Sequence, residues 1–108
     1  MLNIVGIAAC TAGIAHTYIA REKLVSAARK AGHRIHIETQ GTIGVQDEIP
    51  QELIDQADVA IIAADVKVGG KDRFKHIRII EVPTEVVIKS PNKFIKMVEE
   101  VMQKGADA

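Results

Sequence analysis

Residues 3–17 read NIVGIAACTAGIAHT, and this stretch decides the fold. Its first part, 3–8, is a short apolar run bounded by small residues, the pattern of a strand buried on both faces. Its second part opens a different period. From 13 to 31, Ala20, Leu24, Ala27, Ala28 and Ala31 recur at helical spacing while Arg21, Glu22, Arg29 and Lys30 fall outside, and Gly32 supplies a C-terminal stop. A strand that turns directly into a helix begins a strand–helix–strand unit.

Working outward, the alternation continues. Residues 33–40 set Ile35 and Ile37 against His33, Arg34, His36 and Glu38, as a partly exposed strand does. Residues 41–49 form a loop with two glycines, and 50–56 a short helix with Pro50 near its first turn. Residues 57–64, ADVAIIAA, are the most apolar stretch and read as a central strand. Residues 66–74, with Gly69-Gly70, form a loop or a brief helical turn; 77–82 form a fourth strand closed by Pro83. Ser90 caps a last helix that starts on Pro91 and carries Phe94, Met97, Val98, Val101 and Met102 as its apolar stripe. The expected architecture is a three-layer α/β, Rossmann-like domain over 1–104. Its four parallel strands run in the order 2-1-3-4 with helices on both faces, and 105–108 is a frayed tail.

The composition narrows the function. Among 108 residues, 14 Lys plus Arg balance 14 Asp plus Glu. This removes the electrostatic footprint of a dedicated nucleic-acid or anionic-membrane binder. Only Tyr18, Phe74 and Phe94 are aromatic, too few for base-stacking platforms. The apolar run at 2–9 is far shorter than the ~20 residues that span a bilayer, so no membrane insertion is expected and a reducing cytoplasm is the default. Cys10 is the only cysteine, which excludes an intramolecular disulfide or a multi-thiolate metal site. His33, His36 and His76 are scattered without ligand spacing, so neither a metal nor a cofactor is expected.

In an open parallel sheet, ligands bind outside the carboxyl ends of the strands at the switch point, here the loop after strand one. That loop holds Cys10 at the foot of a helix N-terminus. Unpaired N–H groups and the positive helix end make an anion site there, and the same field favours thiolate over thiol. The candidate phosphate cradle is Thr11, Ala12, Gly13, Ile14, Ala15, His16 and Thr17; Gly13 permits a close approach, and Thr11, Thr17 and His16 can donate hydrogen bonds. Asp65, at the end of the third strand, is the carboxylate that can reach the rim. Two readings of Cys10 stand on these residues alone, a buried hydrophobe or a nucleophile, and two of His16, a helix cap or a phosphate ligand. The loop is neither a dinucleotide fingerprint nor a Walker A loop, since the later glycines and the Gly-Lys-Ser/Thr are missing.

The run Ala9-Cys10 with Gly13-Ile14-Ala15-His16-Thr17-Tyr18 resembles the active-site loop of fructose-type enzyme IIB components of the phosphoenolpyruvate-dependent sugar phosphotransferase system. The resemblance continues through Glu38-Thr39-Gln40-Gly41, Ile43-Gly44, Ala57-Asp58, Ala63-Ala64-Asp65 and Asp72-Arg73-Phe74, over roughly residues 3–82. It implies that Cys10 is a phosphocysteine cradled by 11–17. The group would come from a phosphohistidine of enzyme IIA and pass to a fructose-like sugar bound by the membrane component, enzyme IIC. It also implies a cytoplasmic domain held at the inner membrane face through IIC, with the 11–17, 41–49 and 65–74 loops meeting the partners. One departure stands out: the family's Cys-Pro-Thr-Gly is here Cys10-Thr11-Ala12-Gly13. Losing the proline frees a φ angle and restores an N–H.

Two other classes compete with this carrier. A low-molecular-weight tyrosine phosphatase also places a thiolate in a phosphate loop after strand one, but needs an Arg six residues after the cysteine, where this chain has His16. One imidazole does not reproduce the bidentate guanidinium clamp on equatorial oxygens. The other class is a non-enzymatic regulatory domain with an incidental cysteine.

Overall fold

The computed structural model describes residues 1–10, 14–41 and 44–106. The elements run β1 (Asn3–Ala9), α1 (Ile14–Lys30), β2 (Arg34–Gly41), β3 (Gly44–Gln46), α2 (Gln51–Gln56), β4 (Val59–Ala64), a 3-10 turn (Lys71–Phe74), β5 (Arg78–Val82), α3 (Thr84–Lys89) and α4 (Pro91–Ala106). The sheet order is β3-β2-β1-β4-β5. β1 is paired in parallel with β2 on one side and β4 on the other, β5 runs parallel to β4, and β3 runs antiparallel to β2.

All four expected strands form, but the expected four-stranded, all-parallel sheet in the order 2-1-3-4 is corrected to a five-stranded mixed sheet. The extra strand, β3, lies in the segment read as a loop. It is short, and Gly44 enters it at φ +96°, a left-handed conformation that marks a turn in the sequence rather than a strand. The sequence reading assigns no element to 84–89, where the structure has α3. Its sequence TEVVIK contains Val86, Val87 and Ile88 in a row, a β-branched run with poor helix propensity. Tertiary packing overrides that preference: Thr84 and Val87 are fully buried, and Pro83 stands extended just before the first turn. α4 starts on Pro91 as expected and continues to Ala106, into the stretch read as a frayed tail; 107–108 lie outside the described residues.

The alternation of side chains along β1 feeds two cores. Ile4 and Ala8 face a cluster with Ala20, Leu24 and Ala28 of α1, Val87 of α3, and Phe94, Ile95 and Val98 of α4. Val5 and Ile7 face the other side, where Ile49, Ile54 of α2 and Phe74 of the 3-10 turn close over them. The small side chains of Ala20, Ala27 and Ala28 let α1 lie close against the sheet.

Gly6, at the centre of β1, has no room for a side chain. A Cβ there would sit 2.2 Å from the Ile61 carbonyl oxygen and 2.9 Å from Ile37 Cδ1. Gly6→Ala must therefore push β4 or β2 away from β1. We expect it to cost on the order of 3 kcal/mol and to lower the thermal midpoint by on the order of 10 °C. Thermal unfolding followed by circular dichroism checks this; an unchanged midpoint would show that the strands can shift freely.

Candidate active site at the end of the central strand

The strand register builds the site. Ala9 is the Cα partner of both Gln40 on β2 and Ala64 on β4, so Cys10 and Asp65 leave the sheet side by side at the carboxyl edge, beside the end of β2 at Gly41. The Asp65 N–H extends the pairing by donating to the Ala9 carbonyl at 3.1 Å. α1 then returns over this edge and brings His16, on its first turn, back to the cysteine.

Three reactive side chains meet there. The Cys10 thiol donates to Asp65 Oδ2 at 3.0 Å, and Cys10 Sγ lies 2.9 Å from His16 Nδ1. With the thiol proton directed at Asp65, the Nδ1–H tautomer of His16 is the one that can donate to sulfur. Asp65 is fixed from its far side by Thr84, whose N–H donates to Oδ1 at 3.0 Å and whose hydroxyl donates to Oδ2 at 2.6 Å. Hydrogen bonds from the Cys10 and then the Thr84 side chain hold the Asp65 carboxyl below the usual carboxylate range. The Thr84 N–H and His16 add to this against a small opposing effect of burial.

The sequence reading located Cys10, His16 and Asp65, and the structure brings all three together. Ile14, Ala15, His16 and Thr17 lie in the first turns of α1, and the N–H groups of Ile14, Ala15 and His16 precede the first intrahelical bond. Thr11, Ala12 and Gly13 lie outside the described residues. Thr84 was missed. Its only signal is its place just past the carboxyl end of β5, the edge where this sheet class binds ligands. Ligand atoms of Cys10, His16 and Asp65 lie within 4.8 Å of one another. They come from β1, α1 and β4, so no sequence spacing could reveal them.

Around this centre the rim is tied down by one charged pair. Glu38, read as an exposed residue of its strand, is only 1% exposed. The carboxyl half of β2 is covered on both faces, and Arg73 lies over Glu38, donating from Nη1 to Oε1 at 2.9 Å and from Nη2 to Oε2 at 3.0 Å. Glu38 also accepts from Gln40 Nε2 at 2.9 Å and from the Ile49 N–H at 3.2 Å. Gln40 reaches on to Gly69, donating to its carbonyl and accepting from its N–H, each at 2.9 Å. The guanidinium of Arg73 also lies 5.2 Å from the Phe74 ring centroid. Thus β2, the 41–49 segment and the 65–74 segment are joined through Glu38. On the other side Tyr18 donates to Gln46, and Arg21 pairs with Asp47 at 3.3 Å, tying β3 to α1.

A family model described as "PTS system, Lactose/Cellobiose specific IIB subunit" matches residues 5–106. The chain belongs to the IIB family of the sugar phosphotransferase system. It is a phosphotransferase that carries a phosphoryl group in sugar uptake, which sets aside the phosphatase and the incidental-cysteine domain. This IIB chain is 32% identical over 102 residues to the "PTS system fructose-like EIIB component 3" of Escherichia coli K12, covering 94% of this chain and 90% of that one. It shares 51% identity over 78 residues with the "PTS system fructose-specific EIIB'BC component" of Xanthomonas campestris, covering 68% of this chain and 13% of that protein. The solution structure of the enzyme IIB subunit of the phosphotransferase system from Escherichia coli K12 superposes with a TM-score of 0.86 at 31% identity, covering 95% of each chain.

The Glu38–Arg73 pair has a measurable consequence. Burial pushes the Glu38 carboxyl up, but the bonds from Arg73, Gln40 and Ile49 outweigh it and leave the group below its ordinary value. Its contribution to stability is therefore present above the unfolded-state value and is lost as pH falls through the lower folded value. We expect the urea midpoint of the IIB chain to fall as the pH drops below the ordinary carboxylate value of 4.5 and Glu38→Gln to flatten that fall. An acid limb identical in both proteins would show that the pair is not what acid breaks. Arg73→Ala, which strands the buried carboxylate, should cost about 3 kcal/mol at neutral pH in the same urea measurement.

Proposed function

We propose that Cys10 is the phosphoryl acceptor of this IIB chain. On this reading it takes the group from a phosphohistidine of a IIA protein and gives it to a fructose-like sugar held by a membrane IIC component. One observation carries the reading: Cys10 Sγ sits at the exit of β1 between His16 and Asp65, at the start of α1. In the first step Sγ attacks phosphorus, the N–P bond of the phosphohistidine breaks, and the thiol proton goes to the departing imidazole nitrogen, relayed by Asp65, already its acceptor. His16 Nδ1–H, at present on the sulfur, turns to an equatorial oxygen of the transferred group. The N–H groups at the start of α1 take other oxygens, so fixed dipoles stabilise the charge that develops in the transfer. In the second step a sugar hydroxyl attacks phosphorus, the S–P bond breaks, and the hydroxyl proton passes by way of Asp65 to the departing sulfur, which restores the thiol.

The sugar class follows from the fructose-like and fructose-specific relatives. The lactose and cellobiose of the family model's description do not alter it, because in this scheme the sugar is bound by IIC. The IIC partner is supported by the name EIIB'BC of the relative of which this chain spans 13%, and the IIA partner by the EIIABC component of Escherichia coli K12, 37% identical over 94 residues. The placement is cytoplasmic, at the inner membrane face through IIC, and fits the finding that no helix among the described residues is long and apolar enough to cross a membrane. The rim segments 41–49 and 65–74, together with 11–17, form the docking face. Thr11-Ala12, in place of the family's Pro-Thr, adds one N–H donor beside the phosphoryl group.

The test is incubation with phosphoenolpyruvate, the general phosphotransferase proteins and a matching IIA. The wild type should gain one phosphate by mass spectrometry and Cys10→Ser none. Steady release of free phosphate from an aryl phosphate, with no stable adduct, would overturn the reading. His16→Ala should slow the transfer about 10²-fold with an unchanged circular dichroism spectrum. Transfer at the wild-type rate would return His16 to a helix-capping role.

A further inference from the structure

Cys10, His16 and Asp65 offer one thiol sulfur, one imidazole nitrogen and one carboxylate oxygen, all within 4.8 Å of one another. A phosphoryl acceptor needs the sulfur; it does not need the three to form a donor set of this composition. We propose that this trio also binds a borderline-soft divalent cation of the Zn²⁺ class, and that the bound ion closes the carrier by occupying its nucleophile. The second half rests on the reading of Cys10 as the phosphoryl acceptor; the first half does not.

Three features carry the proposal. The donors are of the right kind: thiolate, imidazole and carboxylate are the three ligand types that zinc sites combine. Thiolate and carboxylate together also match the charge of a dication. Their spacing is close to right. In the ion's absence they are held at hydrogen-bond distances, Sγ to Nδ1 at 2.9 Å and Sγ to Oδ2 at 3.0 Å. Ligands arranged tetrahedrally around zinc stand about 3.5 Å apart, so the two sulfur distances open by about half an ångström while the His16 and Asp65 ligand atoms, within 4.8 Å of each other, come to the same spacing. The carboxylate is also already oriented from outside the trio. Thr84, fully buried, holds both Asp65 oxygens with its N–H and its hydroxyl, the outer-shell support that fixes a ligating carboxylate.

The proton balance is simple. On binding, the thiol proton leaves for solvent, neutral His16 carries its proton on Nε2 and turns the Nδ1 lone pair to the metal, and a Zn–S bond forms with no change of oxidation state. The start of α1 opposes a cation, but a helix end carries only about half a charge, against two full negative charges among the ligands. Three protein ligands leave the fourth position to water. Once Sγ bears a phosphoryl group it has lost its thiolate charge and its place in the trio. Metal and phosphoryl group therefore exclude each other.

The experiment uses the reduced full chain in a buffer that does not chelate, with Co²⁺ as the spectroscopic probe and Zn²⁺ as its competitor. One equivalent of Co²⁺ should give thiolate-to-metal charge-transfer and tetrahedral ligand-field bands, which Zn²⁺ abolishes. Cys10→Ser should remove the charge-transfer band. Asp65→Asn and His16→Ala should each weaken binding at least tenfold, and Thr84→Val about tenfold; circular dichroism confirms that each variant is folded. No tetrahedral bands in the wild type, or equal affinity in Asp65→Asn and His16→Ala, would overturn the site. Phosphorylation, read by mass, should then stop in the presence of Zn²⁺ and resume on adding a chelator, and phosphorylated chain should give no Co²⁺ bands. Normal phosphorylation at saturating Zn²⁺ would overturn the closure while leaving the site. A chain that shows the bands but takes no phosphate under any condition would instead overturn the phosphocysteine reading.

Discussion

The two parallel ladders on either side of β1 end in step, and the site depends on that register. Ala9 stands opposite both Gln40 and Ala64, so the chain leaves the sheet after β1 and after β4 at neighbouring points along one edge, beside the end of β2. A slip of one residue in either ladder would turn Asp65 or Glu38 to the opposite face of the sheet. Gly6 enforces the spacing by letting the Ile61 carbonyl come close to β1. The chemistry at Cys10 is thus set by backbone pairing in the middle of the molecule, before any side chain of the site takes part.

At the edge itself, charge is handled by hydrogen bonds and backbone dipoles and not by an excess of basic residues. The chain has zero formal charge, and no Lys or Arg bond to Cys10, His16 or Asp65 is found among the described residues. What the site has is a carboxylate with four polar neighbours, kept ionised beside a thiol. On the proposed reading of Cys10, such a carboxylate relays the thiol proton during phosphoryl transfer without keeping it. It equally suits a dication that would replace the proton.

Much of this was legible in the sequence. The apolar runs at 3–8 and 57–64 and the helical period after Gly13 gave the parallel core of the sheet, and the rule that ligands sit at strand carboxyl ends led to Cys10, His16 and Asp65. Local signals failed where tertiary context decides. β3 is too short to show alternation, and its entry glycine looks like a turn. The β-branched run in α3 argues for a strand until the buried faces of Thr84 and Val87 are known. Glu38 reads as solvent-facing because its partner, Arg73, is 35 residues further along the chain. Thr84 is invisible for the same reason, since it matters only through Asp65, 19 residues before it.

The Glu38 clamp also bears on how long an encounter lasts. A domain that meets a donor and an acceptor in every cycle must let each of them go, and tight complexes would stall it. Gln40 and Gly69 hold each other by two hydrogen bonds, and Arg73 grips Glu38 by two more, so much of the lip around the cysteine is ordered before anything docks. An ordered lip loses little conformational freedom on contact, so a small interface can still orient the reacting atoms. Because affinity differences between related complexes reside mostly in dissociation rates, such a lip combines accurate alignment with short residence, which is the pairing a relay requires.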